Sequence, residues 1–96
     1  MRQIPLSRGF IAEVSDEDYP ELAKYNWYLH QTKSTAYAAR YEYFGYKRKL
    51  IYMHRHIAKP NGAEVVDHVN RNTLDNRREN LRCVSIALNN ANRSFV

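Results

Sequence analysis

A chain of 96 residues has room for one modest hydrophobic core, which disfavours a multi-domain organisation, and a single compact domain is expected over residues 1–96. Fifteen Lys and Arg against ten Asp and Glu give a formal charge of +5, which favours a polyanionic partner without requiring one. The single cysteine, Cys83, excludes an internal disulfide and a cysteine-built zinc ribbon, and no apolar run approaches a membrane span or a secretory signal, so a cytoplasmic protein is expected.

Taken in order, Ile4, Leu6, Phe10, Ile11 and Val14 flank the turn-prone Ser7-Arg8-Gly9, which predicts two short strands joined by a turn. Ser15 or Asp16 then predicts a helix start. Asp16, Glu17, Asp18 and Glu21 suit the positive end of a helix, Pro20 fits its first turn, and the helix is expected to end near Asn26. From Trp27 to Ile57 the chain is dense in tyrosine and β-forming residues. Alternation through Tyr37-Ala38-Ala39-Arg40-Tyr41-Glu42-Tyr43 gives one aromatic face and one small or charged face, and Phe44-Gly45-Tyr46-Lys47 reads as a hairpin turn. Three antiparallel strands are expected, near Trp27–Gln31, Ala36–Tyr43 and Lys49–Met53.

The hairpin tip carries Lys47, Arg48 and Lys49 among tyrosines, a composition suited to gripping phosphates and stacking on bases or sugars. A simpler role fits the same residues, with tyrosines filling a small core and lysines guarding a strand edge. Met53-His54-Arg55-His56-Ile57 opens a short helix ended by Pro60 and Gly62. Helical geometry sets His54 and His56 about 200° apart, which argues against a joint metal site.

Glu64 to His68 is a β-branched run that predicts a strand delivering Asp67 and His68 to the mouth of a turn. Asn70 to Asn76 has the Asn, Asp and Thr of a loop, whose side chains satisfy backbone groups locally. Leu81 to Val84 predicts a second strand, and Ser85 the cap of a helix with Asn89 about one turn in.

Met53-His54-Arg55, Val66-Asp67-His68, Leu74-Asp75-Asn76-Arg77-Arg78-Glu79-Asn80-Leu81-Arg82 and Asn89-Asn90-Ala91-Asn92-Arg93, in this order, resemble the HNH endonuclease superfamily and its ββα-metal motif. More narrowly they are similar to the phage-type HNH and nicking homing endonucleases. The strong part covers Ile51 to Arg93, and the earlier Leu6 to Tyr52 is similar, with less specific motifs, to the N-terminal region of some phage members. The elements and the resemblance together give an α+β fold, with a small antiparallel sheet and a short helix over residues 1–57 followed by the ββα-metal motif over residues 58–96.

The resemblance implies a metal-dependent DNA endonuclease or nickase. His68 is then the general base, since its unperturbed pKa lies near working pH. Asp67 and Asn89 are implied as ligands of one divalent metal, and Asn80 as the residue that bridges the loop and orients the histidine. Two oxygen ligands suit Mg²⁺ or Mn²⁺, and no structural zinc is expected. Many members carry histidine where this chain has Asn89, a departure shared with the phage homing subgroup. The implied partner is double-stranded DNA in a bacterial or phage-infected cell, with no membrane and with monomer or homodimer left open.

Lys47, Arg48, Lys49, Arg55, Arg77, Arg78, Arg82 and Arg93 are the candidate DNA contacts. Arg77 and Arg78 stand foremost because arginine forks suit phosphate, although some must pair with Asp75 and Glu79. Taken singly, Asp67, His68, Asn80 and Asn89 are explained as turn and cap residues; as an ordered set they read as a site. The alternative is a non-cleaving DNA-binding module that retains the fold, with a structural phage protein as a third reading. Little surface lies beyond the site, so weak sequence selectivity and strong salt dependence are expected.

Overall fold

The structure, a computed structural model, describes residues 1–87. Strands β1 (Arg2–Pro5) and β2 (Ile11–Val14) pair antiparallel across the Ser7–Gly9 turn, with Ile4 opposite Ala12. Ile4, Ala12 and Val14 are buried while Gln3 and Pro5 face water, so the expected two-strand unit is present. The acidic stretch departs from expectation. Helix α1 spans only Tyr19–Leu22, and Asp18 at its N-cap makes no capping bond. The acidic residues are engaged elsewhere: Asp16 takes the N-terminal ammonium at 2.7 Å, and Asp18 grips the Arg78 guanidinium at 2.7–3.1 Å.

Strands β3 (Tyr28–Gln31), β4 (Ala36–Phe44) and β5 (Lys47–Tyr52) form a second antiparallel sheet in the order β3-β4-β5. The β4–β5 turn is Gly45-Tyr46, and Gly45 takes the positive φ of 63° that such a two-residue hairpin requires. Cross-strand partners share a face. The register therefore places Tyr28, His30, Tyr37, Ala39, Tyr41, Tyr43, Arg48, Leu50 and Tyr52 on one face, and Leu29, Ala38, Arg40, Glu42 and Ile51 on the other. The second face meets the core: Leu29 and Ala38 join Ile4, Leu6, Ala12, Val14, Leu22, Trp27 and Met53. Arg40 is buried there with its guanidinium 3.8 Å from the Tyr25 ring centre.

Helix α2 (Met53–Ala58) follows β5 directly, with Met53 in the core and Lys59 closing the helix in left-handed geometry at φ 50°. Three strands remain: β6 (Glu64–His68), the two-residue β7 (Asp75–Asn76) and β8 (Leu81–Ser85). β6 and β8 pair antiparallel, with Val66 opposite Cys83. The stretch expected to be loop through Asn76 instead ends in β7, which runs parallel to β2 with Glu13 opposite Asp75 and Val14 opposite Asn76. Two Asx residues have no strand propensity of their own, and the open edge of β2 supplies what composition lacked.

The fold is a small α+β arrangement of short helices and three small sheets, where a single N-terminal sheet followed by a separate motif was expected. The order β1-β2-β7 builds the polar loop into the N-terminal sheet. The helix expected to carry Asn89 as a metal ligand, and Arg93 beyond it, fall outside the described residues. Among the described residues, no helix is long and apolar enough to cross a membrane.

Candidate active site

Strand geometry sends successive side chains to opposite faces, and this divides Asp67 from His68. Asp67 is 38 % exposed and meets its cross-strand partner Arg82, whose Nη2 donates to Asp67 Oδ2 at 2.5 Å. His68 turns inward and is buried. Its Nε2 lies 2.8 Å from Oδ1 of Asn76, which is itself fully buried. With the Asn76 amide oxygen facing the ring as acceptor, the contact suits the neutral tautomer that carries its proton on Nε2 and its lone pair on Nδ1.

The other side of His68 is aromatic. The His54 ring crosses it nearly edge-on at a centroid distance of 5.0 Å, and Tyr37 lies at 6.4 Å. Tyr37 and Tyr52 enclose His54 at 5.2 and 5.4 Å. Burial pushes the His54 imidazole down to about 3, with the neighbouring His68 and Arg55 adding to the effect, so His54 is neutral at ordinary pH. His56 points elsewhere, to Trp27 and Tyr25, as the helical spacing of α2 requires.

Asn80 is the hub of the connection between His68 and β8. Its Oδ1 accepts from Asn70 N at 3.0 Å, and its Nδ2 donates to Asn70 Oδ1 at 2.9 Å and to Asp75 O at 2.8 Å. Its backbone carbonyl takes Val69 N at 2.9 Å. Asn70 Oδ1 also accepts from Asn72 N, and Asn72 Oδ1 from Leu74 N, so each Asx side chain replaces a missing ladder partner. Thr73 Oγ1 donates to Ala36 O, tying the loop to β4.

Arg77 and Arg78 have structural partners. Arg77 clasps both oxygens of Asp75 at 2.7 and 2.8 Å, which holds the Asp75 carboxyl below its ordinary range and raises the Arg77 guanidinium. Arg78 forks onto Asp18, and its backbone N–H donates to Ser15 Oγ at 3.0 Å. The expectation that these two lead the DNA contacts meets forks already filled by carboxylates. Lys47, Arg48, Lys49 and Arg55 are exposed, and Lys49 and Arg55 line an open cleft of about 460 Å³ with Leu50, Ile51, Tyr52 and His56.

The structure thus sets His68 against Asn76, and Asn80 against the loop that leads to Asn76, with Asp67 on the strand beside them. It adds Asn76, His54 and Tyr37, to which the sequence reading gave no role. The parallel pairing of Asn76 with Val14 has no trace in local spacing, and Asn76 stands among several similar asparagines. Among the described residues no cluster of three His, Cys, Asp or Glu is poised for a metal. The exposed Asp67 carboxylate does suit a hard divalent cation, in competition with Arg82.

Residues 51–91 match the model of a family described as HNH endonuclease. The match supports the HNH superfamily for this part of the chain, and with it nuclease or DNA-binding function; it contains Asp67, His68, Asn80 and Asn89. Neither the curated proteins nor the solved structures give a match.

Proposed function

We propose that the chain is a metal-dependent DNA endonuclease or nickase of the phage-type HNH group, acting on double-stranded DNA in the cytoplasm of a bacterial or phage-infected cell. The observation that carries this reading is the 2.8 Å contact between His68 Nε2 and Asn76 Oδ1, because a base must present a lone pair in a fixed direction to take a proton from water. Nδ1 is that lone pair. Asn76 and the His54 ring fix the imidazole plane, and Asn80 fixes the loop that carries Asn76, so Asn80 and Asn76 are positioning residues. Asp67 and Asn89 would hold one Mg²⁺ or Mn²⁺, which when bound neutralises phosphate charge and stabilises the departing oxygen.

Arg82 sits on the carboxylate that would hold the cation and is 57 % exposed. Releasing Asp67 leaves its guanidinium to a phosphate oxygen. Lys47, Arg48, Lys49 and Arg55 hold the DNA backbone through charge, so binding falls steeply with salt and discriminates little between sequences. A steep sequence preference that survives high salt would contradict this.

The Arg82–Asp67 pair also favours a second reading, a DNA-binding module that does not cleave. Supercoiled plasmid incubated with the protein separates the two. Conversion to nicked or linear DNA with Mg²⁺ or Mn²⁺, abolished by EDTA, supports the enzyme. Retention of supercoiled DNA with either ion, while gel shifts show binding, supports the module.

A further inference from the structure

The aromatic face of β3-β4-β5 extends well beyond the surroundings of His68. Toward the hairpin tip, Tyr43, Tyr41 and Tyr28 follow one another at centroid distances of 6.5 and 5.7 Å, and the Arg48 guanidinium lies 4.1 Å from the Tyr41 ring centre. On the same face, past the buried methyl of Ala39, Tyr52 meets Tyr37 at 5.4 Å and His30 at 5.8 Å, and this group reaches His54 and His68. The face carries Arg48 and no carboxylate; Lys47 and Lys49 alternate with Arg48 along β5 and lie on the opposite face, where Lys49 pairs with Glu42. Exposure rises toward the tip: Tyr43 is 68 % exposed, and Phe44 and Tyr46 beside it 56 % and 95 %.

We propose that this face is a stacking platform for unpaired bases, which leads a strand drawn out of the duplex stack toward His68. The proposal rests on the endonuclease reading of that residue. Charge selects the partner, since rings packed beside the Arg48 guanidinium on a face free of acid suit a polyanion better than an apolar protein surface. Ring spacing selects its state. Rows on one face of a strand recur every ~6.8 Å, about twice the ~3.4 Å axial repeat of a strand within a duplex, so bases lying on successive rows are parted from one another. A base inside a duplex has both faces covered by its neighbours. An unpaired base offers a free face to a tyrosine, and any base will do, which agrees with weak sequence selectivity.

The test is fluorescence anisotropy in EDTA, with one labelled sequence presented as a single strand, as a paired duplex and as a duplex with a central unpaired stretch. The platform predicts about tenfold tighter binding of the two unpaired forms. Tyr43→Ala, at a solvent-exposed position, reduces that preference about fivefold and leaves duplex affinity unchanged, while Tyr43→Phe retains it. Tyr41→Ala has the same effect in a protein whose melting confirms that it is folded. Equal affinity for the three forms, preference for the duplex, or a preference untouched by both alanine variants overturns the platform. Self-association in sedimentation that Tyr43→Ala abolishes also overturns it, by identifying a second copy of the chain as the occupant. Binding to none of the three overturns the endonuclease reading as well; metal-dependent cleavage without preference for unpaired DNA overturns the platform alone.

Discussion

The loop from Val69 to Asn80 and the hairpin tip from Tyr43 to Lys49 are both rich in polar and basic residues, yet their side chains are used in opposite ways. In the loop, Asn70, Asn72, Asp75, Arg77, Arg78 and Asn80 all bond back to the protein. At the tip, Tyr43, Phe44, Tyr46, Lys47 and Lys49 are exposed. The contrast teaches that arginine density near a site does not by itself mark a nucleic-acid contact. A guanidinium answered by a buried carboxylate is a tie within the fold, and an exposed cation on the hairpin, such as Lys47, is available to a ligand.

Asn80→Ala breaks the loop side of this comparison most severely. It leaves the Asn70 N–H and the Asp75 carbonyl without their partners, and we expect a loss of about 2–3 kcal/mol in urea unfolding. Stability within a few tenths of the parent would mean that the loop holds itself without this hub.

Acid unfolding probes the place where the loop meets the aromatic face. Folded His54 protonates only near pH 3, whereas in the unfolded chain it protonates near its ordinary value of 6.5. The unfolded state therefore binds the extra proton between these values. Stability is full above about pH 6.5 and falls with acidification at roughly 1.4 kcal/mol per pH unit from this residue. Denaturant midpoints at several pH values check this, and His54→Phe is expected to flatten the decline; an unchanged slope in that variant would assign it to other groups.

The smallest effects separate the two sets of cations. Arg77→Ala and Arg78→Ala lower the melting temperature by a few degrees and leave the salt dependence of DNA binding unaltered. Lys47→Ala and Lys49→Ala do the reverse, keeping the melting temperature and reducing the slope of log affinity against log salt by about 0.9 each. Exchange of these outcomes between the pairs would invert the assignment.

Much of this was legible in the sequence. The strands over Glu64–His68 and Ala36–Phe44, the Gly45 turn and the short helix at Met53 follow from alternation and turn chemistry, which are local signals. The ordered text from Met53 to Arg82 singles out Asp67, His68 and Asn80 as candidates. What escaped depends on distant pairings. The edge of β2 turns Asp75-Asn76 into a strand, and that strand sets Asn76 against His68 across a gap the chain does not encode locally. The Asp18–Arg78 pair spans 60 residues and diverts an acidic stretch from helix capping, for which its composition was suited.

The central claim is that His68, held at Nε2 by Asn76, takes the proton of the attacking water. Single-turnover cleavage of supercoiled plasmid, at protein concentrations that saturate the DNA, tests it with the parent chain beside His68→Ala. A fall of about 10²- to 10⁴-fold in the cleavage rate is expected, with DNA binding intact. A folded His68→Ala protein that cleaves at the parental rate would contradict it.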